Sequence, residues 1–232
     1  MQNRPAVAFF DLGNTLVSGQ AETARDLLAS RLQLNEKEKR KAGRLLMTCN
    51  AAEPKILACA LERILPGHDP AGIFKTITHL WREQYESVSE IDGADRLLLM
   101  LKRSGIILGL ISNTWEPFYQ GFREKCPTIS EMFDHTVLSF RLGEKKPSAA
   151  IFNYALKLTC RKPSECIIVG DSFELDINPA RDLGFQTAWV LSRPEREKAA
   201  TALMLQGLLR PPDIVAADIP DLMQLFEERW LL

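Results

Sequence analysis

Apolar residues follow two rhythms along this chain. The runs 6–10, 106–111 and 166–169 are apolar almost without a break, and they stop at Asp11, Ser112-Asn113 and Gly170-Asp171. Short unbroken runs closed by turn formers predict strands buried on both faces of a parallel sheet. Weaker strands are predicted at 135–138, 187–191 and 214–215. Between them, apolar positions at three- and four-residue spacing predict helices over 94–103, 116–125, 149–157, 175–183 and 221–230. Strands alternating with helices of this length predict an α/β fold, a Rossmann-like parallel sheet with helices on both faces.

The segment 17–92 breaks the alternation and holds no convincing strand. Leu27, Leu28 and Leu32, then Ile56, Leu57, Ala60, Leu61 and Ile64, then Ile73, Ile77, Leu80 and Trp81 recur at helical spacing, with Pro66-Gly67 and Pro70 as punctuation. The expectation is an all-helical cap domain, 17–92, inserted after the first strand of an α/β core domain made of 1–16 and 93–232. Trp81 and Tyr85, at helical spacing, are expected in the interior of that cap. Arg25, Trp81 and Arg82 are its candidates for selecting a substrate, with no choice among them.

Composition narrows the class without naming a function. The 232 residues are 46% hydrophobic and 25% charged, which excludes a disordered, collagenous or disulfide-dense chain. The formal net charge of −1 gives no reason to expect nucleic acid or a membrane as partner. Five scattered cysteines without a C-x-x-C pair predict reduced thiols and argue against structural zinc. The first apolar run is too short for a secretion signal, and no run is long enough to span a membrane, so a cytoplasmic protein is expected. His68, His79 and His135 match no ligand spacing, and the basic run 37–41 has acidic neighbours Glu36 and Glu38, as a solvated helix face does.

The polar residues that end the strands carry the chemistry. Ligands of an open parallel sheet bind at the carboxyl ends of its strands, so Asp11, Ser112 and Asp171 are predicted at one edge. Asp11 is suited to act as nucleophile or metal ligand. Asp171 and Asp176 add carboxylates, and several oxygen donors around one point suit Mg²⁺. Ser112 and Asn113 offer donors for phosphate oxygens, and Lys146 offers a point charge for a transferring phosphoryl group.

The segments Asp11-Leu-Gly-Asn-Thr-Leu16, Leu110-Ile-Ser-Asn113, Lys145-Lys-Pro147 and Gly170-Asp-Ser-Phe-Glu-Leu-Asp176 resemble, in order, the four motifs of the haloacid dehalogenase superfamily. The resemblance covers nearly the whole chain, and the helical insertion matches that superfamily's cap between its first and second motifs. It implies a phosphohydrolase acting on a small soluble phosphomonoester. Asp11 would attack phosphorus and form an aspartyl-phosphate, Thr15 would orient the site, and Ser112 would bind a phosphate oxygen. Lys146, chosen over Lys145 by the motif's register, would hold Asp11 and the phosphoryl charge. Mg²⁺ would bind Asp11, the Gly13 backbone carbonyl and Asp171, with Asp176 reaching it through water or from behind.

The chain departs from that pattern at Gly13, where the superfamily's phosphatases carry a second Asp that protonates the leaving oxygen and later activates water. General acid–base catalysis is typically worth about 10²–10⁴-fold, so this loss is substantial. Leu175 is a smaller departure, standing where many members have Asn. Three readings follow: the phosphohydrolase, a 2-haloacid dehalogenase whose halide leaves without a proton, and a catalytically weak phosphate-compound binding protein. The superfamily's dehalogenases need no Mg²⁺ and typically lack the last Gly-Asp, so Asp171 and Asp176 favour the phosphohydrolase.

Overall fold

The computed structural model describes residues 4–230 of the chain. Strands β1 (Val7–Phe10) and β2 (Val17–Ser18) precede four helices, α1 (Ala24–Leu32), α2 (Glu36–Thr48), α3 (Pro54–Ile64) and α4 (Pro70–Glu86), which lead to β3 (Ser89–Glu90). Then come α5 (Ala94–Arg103), β4 (Ile107–Ser112), α6 (Glu116–Lys125), α7 (Pro127–Ser130), β5 (His135–Leu138), α8 (Ser139–Leu142) and α9 (Ala149–Thr159). The chain closes with β6 (Cys166–Gly170), α10 (Asn178–Asp182), β7 (Gln186–Val190), α11 (Lys198–Leu205), β8 (Ile214–Ala216) and α12 (Ile219–Trp230).

Six strands form one parallel sheet in the order β5-β4-β1-β6-β7-β8. The three apolar runs are its adjacent central strands β4, β1 and β6, wholly buried except for a half-buried first residue of β4, which is why their sequences show no polar alternation. Ala8, Phe10, Leu108, Leu110, Ile167 and Val169 pack on one face against α5, α6 and α12. Val7, Phe9, Ile111 and Ile168 pack on the other against Ile151 and Phe152 of α9 and Ala180 of α10. The predicted α/β, Rossmann-like sheet with helices on both faces is what the chain forms.

Helices α1 to α4 gather around a separate apolar cluster built from Leu28, Leu46, Leu57, Leu61, Ile73, Ile77 and Leu80. From the connection after β4, Trp115 enters that cluster and Phe118 packs against it, and Trp115 meets Trp81 edge-on, with ring centroids 5.7 Å apart. Its indole N–H donates to Gln84 at 3.3 Å. Val17 and Val88, at the two ends of the helical segment, instead pack with the sheet's cluster. Among the described residues, no helix is long and apolar enough to cross a membrane, and all five cysteines are free.

Three local features differ from the sequence reading. The segment 17–92 does carry strand, since β2 and β3 pair antiparallel at its two ends; strands of two residues leave no periodic trace. The helix expected over 175–183 is a wide π-type turn, Phe173–Ile177, running into α10. Pro179 has no N–H to give to the Leu175 carbonyl, so the regular helical ladder cannot run through it. Helix α11 was not expected, and it buries none of its residues, so it presents no core-facing stripe to detect.

Candidate active site

Asp11 follows β1 directly, and its backbone N–H donates to the Val169 carbonyl at 2.8 Å, tying it to the end of β6. A tight turn comes next: the N–H groups of Leu16 and Val17 return to the Leu12 carbonyl, and Asn14 adopts a left-handed φ of 62°. Asn tolerates that conformation better than most residues. Lys146 enters from the connection between α8 and α9 and is 1% exposed. Its ammonium donates to Asp11 Oδ1 at 2.6 Å, Asp176 Oδ1 at 2.5 Å and the Ile111 carbonyl at 2.9 Å. An ammonium has three N–H bonds, and here all three are used.

The other carboxylates come from the end of β6. Asp171 accepts from the Arg193 guanidinium, with Nε at 2.6 Å, and its carbonyl accepts from the Trp189 indole at 3.0 Å. Asp176 is delivered by the π-type turn, a device often found at functional sites. Its second oxygen accepts the Ser172 N–H at 3.2 Å. Gly170 is required for that placement, because a Cβ there would lie 2.5 Å from the Asp176 carboxyl carbon.

Oxygens of Asp11, Asp171 and Asp176 all lie within 4.8 Å of one another. Burial, then the charge of Asp11, pushes the Asp171 carboxyl up to about 7 against the pull of Arg193. Burial pushes Asp176 up to about 6 although Lys146 opposes it. Burial alone would lower the Lys146 ammonium, but Asp11 and Asp176 more than offset it and hold the group charged. Three carboxylates therefore share one buried ammonium and one guanidinium. A divalent cation that accepts several oxygens would remove the remaining repulsion, so the donor set fits Mg²⁺.

The predicted residues do not all meet at this point. Asp11, Gly13, Asn113, Lys146, Asp171 and Asp176 line one cavity of about 730 Å³. The bridge from Gly13 to Val17 uses the carbonyls of Leu12 and Val17, leaving the Gly13 carbonyl out of it. Asn113 has both ends of its amide on the Lys146 backbone, donating to the carbonyl at 2.9 Å and accepting the N–H at 2.7 Å. Ser112 ends β4 and is 2% exposed, but it is not part of that cavity's lining. Thr15 is fully buried, and its hydroxyl has no hydrogen-bond partner among the described residues.

Several lining residues escaped the sequence reading: Lys145, Arg40, Arg44, Arg193 and Arg196. Arg193 was findable in principle, because it follows β7, a fourth strand ending at the same sheet edge. Of the three selector candidates, Arg25 lines the cavity, Trp81 packs with Trp115, and Arg82 pairs with Glu86 at 2.7 Å on the surface.

The haloacid dehalogenase-like hydrolase family matches residues 57–190, more than half of the chain. A glyceraldehyde 3-phosphate phosphatase of Pyrococcus furiosus is 29% identical over 194 residues, covering 80% of each chain. Among solved structures, a 2-haloacid dehalogenase from Pseudomonas syringae superposes with a TM-score of 0.63 at 18% identity, covering 97% of this chain and 99% of that one. The HAD-hydrolase YfnB from Bacillus subtilis, bound to magnesium, superposes with a TM-score of 0.60 at 19% identity over 97% and 100%. At those identities the structural likenesses establish the fold alone.

Proposed function

The chain belongs to the haloacid dehalogenase-like hydrolase family, and we propose that within it the chain is a Mg²⁺-dependent phosphohydrolase of small soluble phosphomonoesters. The observation that carries this is the convergence of Asp11, Asp171 and Asp176 within 4.8 Å, beside the buried ammonium of Lys146. Residues 1–16 and 93–232 form the catalytic unit in this reading, and 17–92 act as the cap that closes over the substrate. The phosphatase naming of the Pyrococcus relative points the same way.

In the first step a carboxylate oxygen of Asp11 forms a bond to phosphorus while the ester P–O bond breaks. The electron pair leaves on the substrate oxygen, which takes a proton from solvent. In the second step water attacks the aspartyl-phosphate, freeing inorganic phosphate and restoring the Asp11 carboxylate. Lys146 holds Asp11 in place for attack and offsets phosphoryl charge, and Asn113 fixes Lys146 through its backbone rather than binding phosphate itself. Ser112, the last residue of β4, is the group for a phosphate oxygen, and Thr15, buried in the turn after Asp11, orients the site. Mg²⁺, held by Asp11, Asp171 and the Gly13 carbonyl with Asp176 behind, would neutralise charge on the phosphoryl oxygens. Asp176, already committed to Lys146 and the Ser172 N–H, is suited to that supporting place.

Gly13 gives no carboxyl to protonate the leaving oxygen, so acyl and anomeric phosphates, whose leaving groups need little protonation, are the favoured substrates. The test is a panel of alkyl, acyl and anomeric phosphates and 2-haloacids, assayed with Mg²⁺ and with EDTA. Phosphate release that needs Mg²⁺ and is abolished in Asp11→Asn supports the proposal. Halide release that survives EDTA overturns it in favour of the dehalogenase. Binding of phosphate compounds without turnover would make the chain a binding protein.

A further inference from the structure

One face of α2 forms the helical wall of the cavity: Arg40, Gly43, Arg44 and Met47 all line it. Arg25 of α1 and Lys145, from the connection before α9, complete that wall. Helix α2 packs on α8, which brings it against the connection that carries Lys145. Lys145 is half-buried, and its ammonium is held below the usual lysine range by burial first and then by Arg44 and Arg25. These three cations therefore face one another across a common space.

Their counter-charges are few. Arg25 shares Asp26 with Lys39, at 3.5 and 2.8 Å. Among the described residues, Arg40, Arg44 and Lys145 have no ion pair. Acids of the cavity are engaged elsewhere: Glu197 accepts the Phe173 N–H, Asp171 is taken by Arg193, and Asp11 and Asp176 by Lys146. Glu174 also lines the cavity but is exposed and pairs with none of them. The placement is built rather than incidental. The stem of Arg25 lies flat across α2 at Gly43, where a Cβ would come within 2.5 Å of the Arg25 Cγ and Cδ. Glycine inside a helix is unfavourable, and here it makes room for that arginine.

We propose that Arg25, Arg44 and Lys145 form a second anion-binding subsite, so that the substrate carries a further anionic group besides the phosphate presented to Asp11. This rests on the phosphohydrolase reading. It deepens that reading by restricting the substrate class to phosphate esters that also bear a carboxylate or a second phosphate. Lys146 cannot serve the distal group, because its three N–H bonds are already spent on Asp11, Asp176 and Ile111. Guanidinium groups suit either anion, since their planar fork matches carboxylate and phosphate alike.

The test compares matched pairs: glycolaldehyde phosphate with phosphoglycolate, and a hexose monophosphate with the hexose bisphosphate. The readout is the ratio of kcat/KM within each pair, for wild type, Arg44→Gln, Gly43→Ala and the control Lys75→Gln, an exposed lysine of α4 outside the cavity. Wild type should favour the doubly anionic member of at least one pair by about tenfold or more, which also tells carboxylate from phosphate. That ratio should fall about tenfold in Arg44→Gln. It should also fall in Gly43→Ala, whose methyl group would displace the Arg25 stem. Equal kcat/KM within both pairs, a ratio unmoved by Arg44→Gln, or a fall of equal size in Lys75→Gln overturns the subsite. If wild type releases phosphate neither from these pairs nor from the acyl and anomeric phosphates of the panel above, it is the catalytic reading that fails, and calorimetric titration of the same pairs decides the subsite. Tighter binding of the doubly anionic member that is lost in Arg44→Gln upholds it; equal binding, or none, overturns it.

Discussion

Replacing Lys146 with Met should produce the largest loss of stability of any single change at this site, and the loss should grow with pH. Met fills much of the same volume, so the change removes charge more than packing. It leaves Asp11, 8% exposed, and Asp176, 1% exposed, facing each other without the ammonium that bridges them at 2.6 and 2.5 Å. Removing one partner of a buried ion pair costs about 3–5 kcal/mol. For a domain of this length, that corresponds to a fall of roughly 6–20 °C in Tm. In wild type, the Lys146 ammonium is held above the usual lysine range. Its stabilising contribution is therefore fully present at neutral pH and is lost only in strong alkali. In the variant, the Asp176 carboxyl, pushed up to about 6 by burial even against the pull of Lys146, loses that pull and stands further above its unfolded value. The folded state then binds more protons than the unfolded state, and stability falls as pH rises through that window. Urea unfolding in EDTA at pH 5, 6.5 and 8 should show the deficit of Lys146→Met widening with each step. A deficit below about 1 kcal/mol, or one equal at pH 5 and 8, would refute the charge-bridging account.

Three other outcomes are expected. Mg²⁺ should raise Tm more at pH 8 than at pH 6, because Asp171 and Asp176, pushed up to about 7 and about 6, must lose protons before they bind a cation; a shift as large at pH 6 would mean that other groups hold the metal. Gly13→Asp should fold normally, since nothing lies within 4 Å of the Cβ it would gain and its φ is not left-handed. It should raise turnover of alkyl phosphates by at least about tenfold, and an unchanged kcat would show that another group already moves that proton. In native protein, iodoacetamide should label the exposed Cys59 and Cys160, whereas buried Cys166, its thiol pushed up to about 12 chiefly by burial, should react only after unfolding; peptide mapping reads this directly.

The sheet and its chemical edge were legible because burial on both faces leaves an unmistakable mark. Strands β4, β1 and β6 are apolar along their buried length, so the first polar residues at their ends stand out as Asp11, Ser112 and Asp171. Lys146 and Asp176 could be named as candidates on their chemistry, but the motif resemblance was needed for their places and roles, since a single lysine in a connection and a single acid in a turn have no period of their own. Of the helical wall of the cavity, the sequence singled out Arg25 alone, as one of three candidates. Arg25, Arg44 and Lys145 come from three separate segments, and only the packing of α2 on α8 and of Arg25 across Gly43 brings them together. A helix face rich in lysine and arginine reads as solvated because most such faces are. What distinguishes this one is a cavity on the other side.

Asn113 illustrates the same limit within the motif itself. A side-chain amide after a strand end offers donors, and donors beside a phosphate invite a binding role. The structure spends both ends of that amide on the backbone of Lys146. Those two hydrogen bonds fix where the lysine chain starts, and the Ile111 carbonyl, next to Ser112 on β4, fixes where its ammonium ends. The end of β4 and the residue after it thus hold Lys146 at both ends and present it to Asp11, which follows the neighbouring strand β1. Asp11 and its counter-charge are therefore held together from two neighbouring strands of the sheet. Loosening Asn113 should disturb Asp11 without touching it.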